Sequence, residues 1–363
     1  MKSGDRATDW RHWTIAITGM NARPDNPGPG MAVARCLREY SGFRGRLIGL
    51  GYDALDAGLY DDSCDQSHLL PYPSMGEESL RDRLEEIQGL CPIDAIIPCL
   101  DSELTNFQRL LPALDSWGIA TLLPSHRSLA ARGKDRLPSL CAATGMATPE
   151  TRAINDPGFF DSCQDSGWSF PLMIKGLYYD AQVVHHPAEA RMVTHRIAGQ
   201  WGYPILVQQF VPGHEINLTA VCDDSGTLLA PVMMRKRAIT DKGKAWAGIT
   251  IDDDELRAMA QTLSTHLTWR GPLEVEALRG EDGRLYLVEL NPRFPSWIYL
   301  SHGVQRNLPA LLLSLMAGER LPFAPTPRTG TLFIRHAQEV IVDLERLAAM
   351  STTGTHPQRH PRA

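Results

Sequence analysis

Two carboxylates can face each other across a predicted β-hairpin. The apolar, β-rich runs LEVEAL (273–278) and RLYLVEL (284–290) flank a turn at EDG (281–283). Because side chains alternate between the two faces of a strand, Glu276 and Glu289 can meet across this turn. Carboxylates that crowd together repel each other, so a cation is expected between them.

The hairpin offers further groups near this pair. Asn291 adds an amide oxygen two residues after Glu289, and the alternation predicts that Leu287 shares their face. Two carboxylates and an amide form a hard-oxygen cluster that suits Mg²⁺ bridging substrate phosphates. A solvated hairpin face without a metal is the alternative, because glutamate is common on exposed strands.

Two lysines are candidates for binding those phosphates. Lys175 ends the apolar run FPLMIK (170–175), and Lys134 opens a predicted helix. An ammonium group in either place can reach phosphate oxygens in a cleft. For each lysine the alternative is an ordinary surface side chain.

A third segment has the character of a nucleoside-binding strand. QQFVPGHE (208–215) is an apolar run that ends at Pro-Gly and is followed by Glu215. Edge backbone groups of such a segment can pair with a purine, and a carboxylate can accept hydrogen bonds from ribose hydroxyls. Considered by itself, the segment is more simply a plain strand and turn.

Arginines supply further positive charge. The run MMRKRAIT (233–240) is predicted to be a strand with Arg235 and Arg237 on one face, where they could hold a triphosphate or an acyl phosphate. A solvated basic edge is the alternative. The next run, DKGKAWAG (241–248), is predicted to be a loop that closes on the acceptor substrate. Arg293, next to the metal candidates, could bind the carboxylate or phosphate of an intermediate.

The composition limits the classes of function. The 363 residues carry 36 Lys and Arg against 42 Asp and Glu, which leaves a formal charge of −6. Proteins that bind nucleic acid or anionic membranes need a net basic face, so neither class is favoured. The seven cysteines are odd in number and include no CxxC pair, so reduced thiols are expected. The charged N-terminus has no apolar signal-peptide core, and we expect a cytoplasmic protein.

The elements that must position these residues follow from the periodicity of the chain. Strands and helices alternate in the first third, which favours a parallel α/β sheet. The predicted strands there are 13–18, 46–50, 94–98 and 118–123, and the predicted helices are 31–40, 81–88 and 103–114.

The rest of the chain is richer in strands. Beyond the runs named above, the predicted strands are 204–211, 215–222 and 227–234, and the predicted helices are 134–144, 188–199, 255–267 and 307–316. Pro and Gly between 149 and 167 predict a region of turns, and the polar tail 355–363 is expected to fray.

Together these pieces resemble the ATP-grasp superfamily, in particular the branch of biotin carboxylase and carbamoyl-phosphate synthetase. VELNPRF (288–294) is similar to the family's metal-binding E-x-N-P-R signature. Glu276 lies 13 residues before Glu289, as the first metal carboxylate does in these ligases, and Glu274 is the alternative. The resemblance therefore implies that Glu276, Glu289 and Asn291 hold the metal.

The same resemblance extends to the nucleotide site. GKDRLPSLCAATGMATP (133–149) resembles the helix that opens the ATP-grasp domain, with Lys134 and Lys175 matching its two nucleotide-binding basic residues. Glu215 matches the ribose-binding carboxylate. The matches to the strand that binds adenine are Gln208, Gln209, Phe210 and Val211.

The resemblance implies an α/β protein with the ATP-grasp fold, two α+β subdomains that grip ATP, preceded by a parallel-sheet domain. The expected domains are 1–127 (N-terminal), 128–204 (lid), 205–325 (metal site) and 326–363 (C-terminal extension with a flexible tail). The implied function is a ligase that uses ATP and Mg²⁺, or Mn²⁺ in its place, to join a small-molecule or peptide carboxylate to an amine through an acyl phosphate. Arg293, Arg235 and Arg237 are the expected catalytic residues. A homodimer is left open.

One segment departs from the family pattern. The lysine strand is usually followed by a mobile Gly-rich loop over the phosphates, but KGLYYDAQVVHH (175–186) contains only Gly176. Tyr178 or Tyr179 could take part in an altered lid. Two alternatives to the ligase follow: a phosphoryl transferase of the same fold, and a nucleotide-binding regulatory or peptide-binding module without turnover.

Overall fold

The structure is a computed structural model, and it describes residues 9–23, 25–177, 180–319 and 326–356. The N-terminal unit alternates strands and helices, as predicted. Its elements are β1 (Thr14–Ile17), α1 (Gly30–Arg38), β2 (Arg46–Gly51), β3 (Gln66–Leu69), α2 (Gly76–Leu90), β4 (Ala95–Ile97), α3 (Leu104–Arg109) and α4 (Leu111–Trp117). The strands form a parallel sheet in the order β3-β2-β1-β4. Helices cover this sheet on both faces, which explains why the strands are continuously apolar.

A smaller antiparallel unit follows two connecting helices. Its elements are α5 (His126–Ala131), α6 (Leu137–Thr144), β5 (Thr151–Ile154), α7 (Phe159–Ser162), β6 (Leu172–Gly176), β7 (Ala181–Val184), α8 (Pro187–Trp201) and β8 (Ile205–Gln209). The sheet order is β5-β8-β6-β7. One face packs its apolar residues, among them Ile174 and Val207, against Val193 and Ile197 of α8. Gly145 ends α6 in the left-handed region at φ 69°, which glycine adopts without strain.

A larger antiparallel sheet carries the predicted hairpin. Its elements are β9 (Gly213–Cys222), β10 (Leu228–Ile239), β11 (Ala245–Ile251), α9 (Asp254–His266), β12 (Gly271–Gly280), β13 (Leu285–Asn291), α10 (Tyr299–Gly303), α11 (Leu308–Met316) and β14 (Leu332–Ile334). The order is β13-β12-β9-β10-β11-β14. Alternation packs Ile216, Leu218 and Val275 in one core with residues of α9. The opposite face carries the polar residues of these strands.

The C-terminal segment returns to the N-terminal unit. After β14 come α12 (Leu344–Thr353) and β15 (Thr355–His356), which pairs antiparallel with β3. The first two residues of the predicted frayed tail are therefore paired, and the tail from 357 onward lies outside the described residues. In the described ranges no helix combines the length and the apolar character that crossing a membrane requires.

Several predicted elements differ from the structure. Residues 118–123 form no strand and contribute a single bridge, from Ala120 to Ala95. The predicted helix 103–114 is divided into α3 and α4, with Pro112 in the first turn of α4. The predicted loop 241–248 is wrong in its second half, because β11 begins at Ala245 and pairs with β10. Strands β3, β5, β7 and β14 were not predicted, since three or four residues show little periodicity.

Candidate active site

The hairpin brings its carboxylates together as predicted. In the register of β12 and β13, Glu276 is opposite Glu289 and Glu274 is opposite Asn291. A bulge, however, interrupts the ladder after Glu276, so that Leu287 pairs with Ala277. Leu287 packs in the core, and the prediction that it shares the face of Glu289 is wrong because the extra residue shifts the alternation.

Glu274 is occupied by protein donors. Its carboxylate is buried, with 3% of the residue exposed. It accepts hydrogen bonds from Asn217 Nδ2 (3.2 Å), Asn291 Nδ2 (3.1 Å), Arg293 Nη1 (2.7 Å) and Trp297 Nε1 (2.8 Å). Four donors use the acceptor sites of a carboxylate, so Glu274 fixes its neighbours rather than remaining open to a cation. Glu276 is the better of the two metal candidates.

Lys236 lies between two carboxylates of this face. Its Nζ is 2.5 Å from Oε2 of Glu215 and 3.0 Å from Oε2 of Glu276, and only 7% of its side chain is exposed. Burial opposes the charge of Lys236, but the two carboxylates outweigh it and hold its pKa well above the ordinary value. Burial likewise opposes the charge of Glu276, and Lys236 and Lys244 outweigh it and lower the pKa of Glu276 to about 2.

The two flanking arginines do not join this cluster. Adjacent residues alternate, so Arg235 lies on the face opposite Lys236. A register shift between Lys236 and Ala238 leaves Arg237 in a bulge, where it is exposed. The bulge removes the alternation that predicted a common face for Arg235 and Arg237. Their binding of phosphate stays a prediction, and Lys236 is the basic residue of this strand that reaches the carboxylates.

One of the two predicted phosphate-binding lysines, Lys134, contacts the hairpin from outside its sheet, and the other, Lys175, lies within range of its charges. Lys134 Nζ is 3.6 Å from Oε1 of Glu289. It precedes α6, which begins at Leu137, rather than opening the helix. Burial and the charge of Lys134 lower the pKa of Lys175 to about 8, although Glu289 and other carboxylates act in the opposite direction. Lys134 thus pairs with Glu289, and the charges of both act on Lys175.

The predicted adenine-binding segment joins the two antiparallel sheets. Gln208 is inside the smaller sheet, where its backbone pairs with Thr151 and Met173 and its Nε2 donates to Thr151 Oγ1 at 2.8 Å. Gln209 N–H donates to the carbonyl of residue 150 at 2.9 Å. Within the described residues the N–H groups of Phe210 and Val211 have no acceptor. The backbone N–H groups of these two residues are therefore available to donate hydrogen bonds to a purine.

Gly213, just after this segment, is needed for the approach of two strands. A Cβ atom at Gly213 would lie 2.2 Å from the carbonyl oxygen of Arg279 on β12. The Pro-Gly pair therefore allows β9 to start directly against β12, and this register directs Glu215 toward Lys236.

Arg293 connects the hairpin to the N-terminal unit. Its Nε donates to Oδ2 of Asp101 at 2.9 Å, and its Nη1 donates to Oε2 of Glu274 at 2.7 Å. Asp101 also pairs with Arg132 at 3.0 Å. Burial opposes the charge of Asp101, but both guanidinium groups outweigh it and lower its pKa. Arg293 is therefore held in one orientation beside the carboxylates, 8% exposed.

The donor set fits a metal ion that phosphate oxygens complete. Among the described residues no group of three or more His, Cys, Asp or Glu is placed to hold a metal by itself. With Glu274 occupied, Glu276, Glu289 and the amide oxygen of Asn291 remain. Mg²⁺ is commonly bound by one or two carboxylates plus substrate phosphates, so this set suits it. The buried Oδ1 of Asn217, which has no partner in the described part of the chain, is a further acceptor beside the cluster.

Lys236, Asn217 and Asp101 are site residues that were not predicted from the sequence. Alternation along 215–217 would have placed Asn217 on the face of Glu215, and alternation at 235–237 would have placed Lys236 on the face opposite its arginine neighbours. Only the pairing of β9 with β10 and β12 puts those faces side by side. Tyr178 and Tyr179, the predicted lid residues, lie outside the described residues. Beside them, the N–H of Gly176 donates to the carbonyl oxygen of Asp180 at 3.1 Å.

Part of the chain is similar to known proteins. The family model described as ATP-grasp in the biosynthetic pathway with Ter operon matches residues 203–340. The phosphoribosylamine–glycine ligase of Helicobacter pylori is 33% identical over 63 residues, and this match spans 17% of the chain and 15% of that ligase.

Solved structures extend the likeness to most of the chain. The L-amino acid ligase of Bacillus licheniformis has a TM-score of 0.61 at 17% identity, over 84% of this chain and 74% of that protein. The biotin carboxylase domain of the Hydrogenobacter thermophilus 2-oxoglutarate carboxylase, a dimer in complex with MgADP, has a TM-score of 0.64 at 14% identity, over 88% and 73%. The chain has the ATP-grasp fold, with a parallel N-terminal sheet and two antiparallel sheets. Residues 203–340 are similar to the ATP-grasp family, and the solved structures show the same fold for most of the chain.

Proposed function

We propose that the protein is an ATP- and Mg²⁺-dependent ligase that joins a carboxylate to an amine, or to a related nucleophile, and releases ADP and phosphate. The observation that carries this proposal is the facing of Glu276 and Glu289 beside Lys134 and Lys175. Carboxylates of the larger sheet, which would suit a metal, are thus approached by Lys175 of the smaller sheet and by Lys134 of the segment before α6, which would suit phosphates.

The nucleotide would lie between the two antiparallel sheets. The free N–H groups of Phe210 and Val211 would meet the adenine edge, and Glu215 would accept from the ribose hydroxyls. Lys134 and Lys175 would bind the phosphates. Gln208 and Gln209 would support this segment through the hydrogen bonds of the smaller sheet. The MgADP complex of the Hydrogenobacter domain is consistent with such a ligand.

Glu276, Glu289 and Asn291 would hold Mg²⁺, which shields the phosphate charge when bound. Lys236 carries positive charge at the same carboxylates. Glu215 and Glu276 both form ion pairs with Lys236. Nucleotide binding at Glu215 and metal binding at Glu276 would therefore each alter one of its two ion pairs. Mn²⁺ would fit the same oxygen donors.

The chemistry would take place in two steps. A carboxylate oxygen of the acid attacks the γ-phosphorus, the bond from that phosphorus to the β,γ-bridging oxygen breaks, and ADP leaves with the electron pair. The amine then attacks the carbonyl carbon of the acyl phosphate, loses a proton, and phosphate leaves. Arg293, held by Asp101 and Glu274, would present fixed positive charge to the transferring group.

The organisation and partners of the protein are part of this proposal. Residues 1–127 would form the substrate side, 128–204 the lid, 205–325 the metal-binding part and 326–363 an extension. The substrates would be small-molecule or peptide carboxylates and amines. The net charge of −6 does not favour nucleic acid or membrane lipid as a partner.

A nucleotide-binding module without turnover is the second candidate. The composition of 175–186 favours it, because Gly176 is its only glycine and glycines let backbone N–H groups approach phosphates closely. A phosphoryl transferase would use the same contacts and stop at a phosphorylated acid.

The test is a screen for ADP release over amino acids, short peptides and other acids, each with and without amines. A ligase gives ADP in proportion to a condensed product. A transferase gives ADP and an acyl or other phosphate without need of an amine. MgADP binding with no ADP release for any acid would overturn the ligase proposal in favour of the binding module.

A further inference from the structure

One carboxylate of the N-terminal unit meets two arginines from distant parts of the chain. Asp101, in the loop after β4, has its Oδ2 2.9 Å from Nε of Arg293 and its Oδ1 3.0 Å from Nη1 of Arg132. Arg293 comes just after the hairpin of β12 and β13, and Arg132 comes directly after α5. Asp101 therefore joins the N-terminal unit, the hairpin and the segment that leads into the smaller sheet.

The loop between β4 and α3, which carries this aspartate, is held in place by a buried carboxylate. Glu103 has no exposed surface, and its Oε1 accepts hydrogen bonds from the N–H groups of Cys99 and Leu100, both at 2.9 Å. The hydroxyl groups of Thr18, after β1, and Tyr52, after β2, also donate to this carboxylate. These hydrogen bonds tie the loop to two neighbouring strands of the parallel sheet, so its aspartate has a fixed place.

The turn between α5 and α6 connects Arg132 to one of the predicted phosphate-binding lysines. Arg132 is two residues before Lys134, and the turn is closed by a hydrogen bond of 2.7 Å from the N–H of Arg136 to the carbonyl oxygen of Gly133. Among the described residues, Asp101 is the carboxylate that pairs with Arg132. Because the turn is short, the ion pair that holds Arg132 also limits where Lys134 can lie.

The contact between Lys134 and the hairpin does not by itself fix the lysine. Its Nζ is 3.6 Å from Oε1 of Glu289, which is longer than a hydrogen bond. The side chains of Lys134 and Glu289 are also 22% and 32% exposed, and a lysine has a flexible stem. The position of the ammonium group therefore depends on where the backbone of its turn is held.

We propose that Asp101 is a positioning residue for nucleotide binding: through Arg132 it sets the turn that carries Lys134, while Arg293 holds Asp101 against the hairpin. The inference rests on the proposed function, in which Lys134 binds phosphates. Lys175 comes from the smaller sheet, and within the described ranges no ion pair joins it to Asp101 or Arg132. Lys175 therefore binds phosphate independently of this bridge.

The test measures the affinity for MgADP by calorimetric titration of the full chain. We expect Asp101→Asn and Arg132→Gln each to weaken binding by about fivefold, within the range found for residues of one ion-pair network. The first substitution removes a negative charge near the phosphates and the second removes a positive one. A loss of affinity in both variants therefore reports the position of the turn, because a direct effect of charge would have opposite signs.

Double variants identify the residue through which Asp101 acts. In a Lys134→Ala background, Asp101→Asn should have no further effect, because the side chain that it positions is gone. In a Lys175→Ala background it should keep its effect of about fivefold. A general loss of structure would instead weaken binding equally in both backgrounds. Asp101→Glu, which retains the charge, should recover part of the affinity.

Asp65→Asn is the matched control. Asp65 pairs with Arg38 at 2.7 Å in the same N-terminal unit, and its side chain is 36% exposed, against 31% for Asp101. This variant should bind MgADP as the wild type does. If Asp101→Asn does not fold, Arg132→Gln in the same two backgrounds gives the same comparison.

The outcomes separate this inference from the proposed function. Unchanged or tighter binding by Asp101→Asn, or equal effects in the two lysine backgrounds, would overturn the inference while the wild type still binds MgADP. No binding of MgADP by the wild type would overturn the proposed function and the inference with it.

Discussion

Lys236 Nζ lies 3.0 Å from Oε2 of Glu276, and the same nitrogen contacts Glu215 at 2.5 Å. One ammonium group thus neutralises a proposed metal ligand and a proposed ribose ligand together. Without it, two carboxylates of this face would be left without their cation.

Lys236→Met should therefore destabilise the protein and make its stability depend on Mg²⁺. We expect a loss of about 3 kcal/mol, at the low end for breaking a buried ion pair because Glu215 is partly exposed. A divalent cation should recover part of that loss by replacing the missing charge. Denaturant unfolding with Mg²⁺ and with EDTA measures both effects. Arg237→Met, at the exposed neighbour, should change neither, and a variant of Lys236 as stable as wild type in EDTA would contradict the assignment.

Glu289→Gln should reduce the rate by at least ~100-fold, because it removes a charged metal ligand from the transition state. The fold should remain intact, since the side chain of Glu289 is 32% exposed and glutamine keeps its size. ADP release under saturating substrates gives the rate, and circular dichroism reports the fold. Glu281→Gln, in the exposed turn of the same hairpin, is the control. Near-normal turnover by a folded Glu289→Gln protein would exclude this residue as a metal ligand.

Lys175→Ala should diminish the stabilisation of the protein by MgADP, because a phosphate contact is lost and binding is linked to stability. The readout is the shift in melting temperature on addition of MgADP. Lys242→Ala, at an exposed loop position, should show the wild-type shift. If the two variants respond alike, Lys175 is not a phosphate ligand.

The affinity for MgADP should fall as the pH rises through about 8. The pKa of Lys175 is lowered to about 8, so its charged form is abundant below that pH and scarce above it. Phosphate binds the charged form, and we expect a loss of about tenfold between pH 7 and pH 9. The phosphates are already ionised over this range.

The same shift has the opposite effect on the stability of the nucleotide-free protein. Because the folded pKa of Lys175 lies below its unfolded value, its contribution to stability increases as the pH rises from about 8 toward the ordinary lysine value. Calorimetric titrations across this range test the affinity. Lys175→Arg, which stays charged, should give a flat profile, and an equally steep profile in that variant would assign the pH effect to another group.

The products should be ADP and phosphate. Lys134, Lys175 and Arg293 are the cations near the carboxylates proposed to hold the metal, and this arrangement would suit the β- and γ-phosphates, so attack is expected at the γ-phosphorus. With a suitable acid, ATP and hydroxylamine but no amine, a hydroxamate should accumulate together with ADP. Chromatography of the nucleotides distinguishes this outcome from adenylation. AMP and pyrophosphate in stoichiometric amounts would exclude attack at the γ-phosphorus, even though the fold is unchanged.

Local features of the site could be predicted from the sequence. Glu276 and Glu289 are 13 residues apart around a short turn, so a hairpin brings them together with little dependence on the rest of the chain. The predicted helix 134–144 ends where expected, because Gly145 follows it and few other residues adopt its φ of 69° at low cost. The alternation of strands and helices likewise predicted the parallel N-terminal sheet.

Long-range pairing was decided only by the tertiary structure. Lys134 reaches Glu289 across 155 residues of chain, and Arg293 reaches Asp101 across 192. Lys236 contacts the carboxylates, and its arginine neighbours do not, because the pairing of β10 with β9 puts Lys236 on the same face of the sheet as Glu215. A bulge after Lys236 interrupts the alternation that would otherwise put Arg235 and Arg237 on one face. A bulge in the hairpin likewise turns Leu287 into the core, although alternation predicted that it would share the face of Glu289. A sequence fixes which side chains alternate along a strand, but strand pairing and packing between sheets decide which of those faces meet, because those contacts are made with partners far away in the chain.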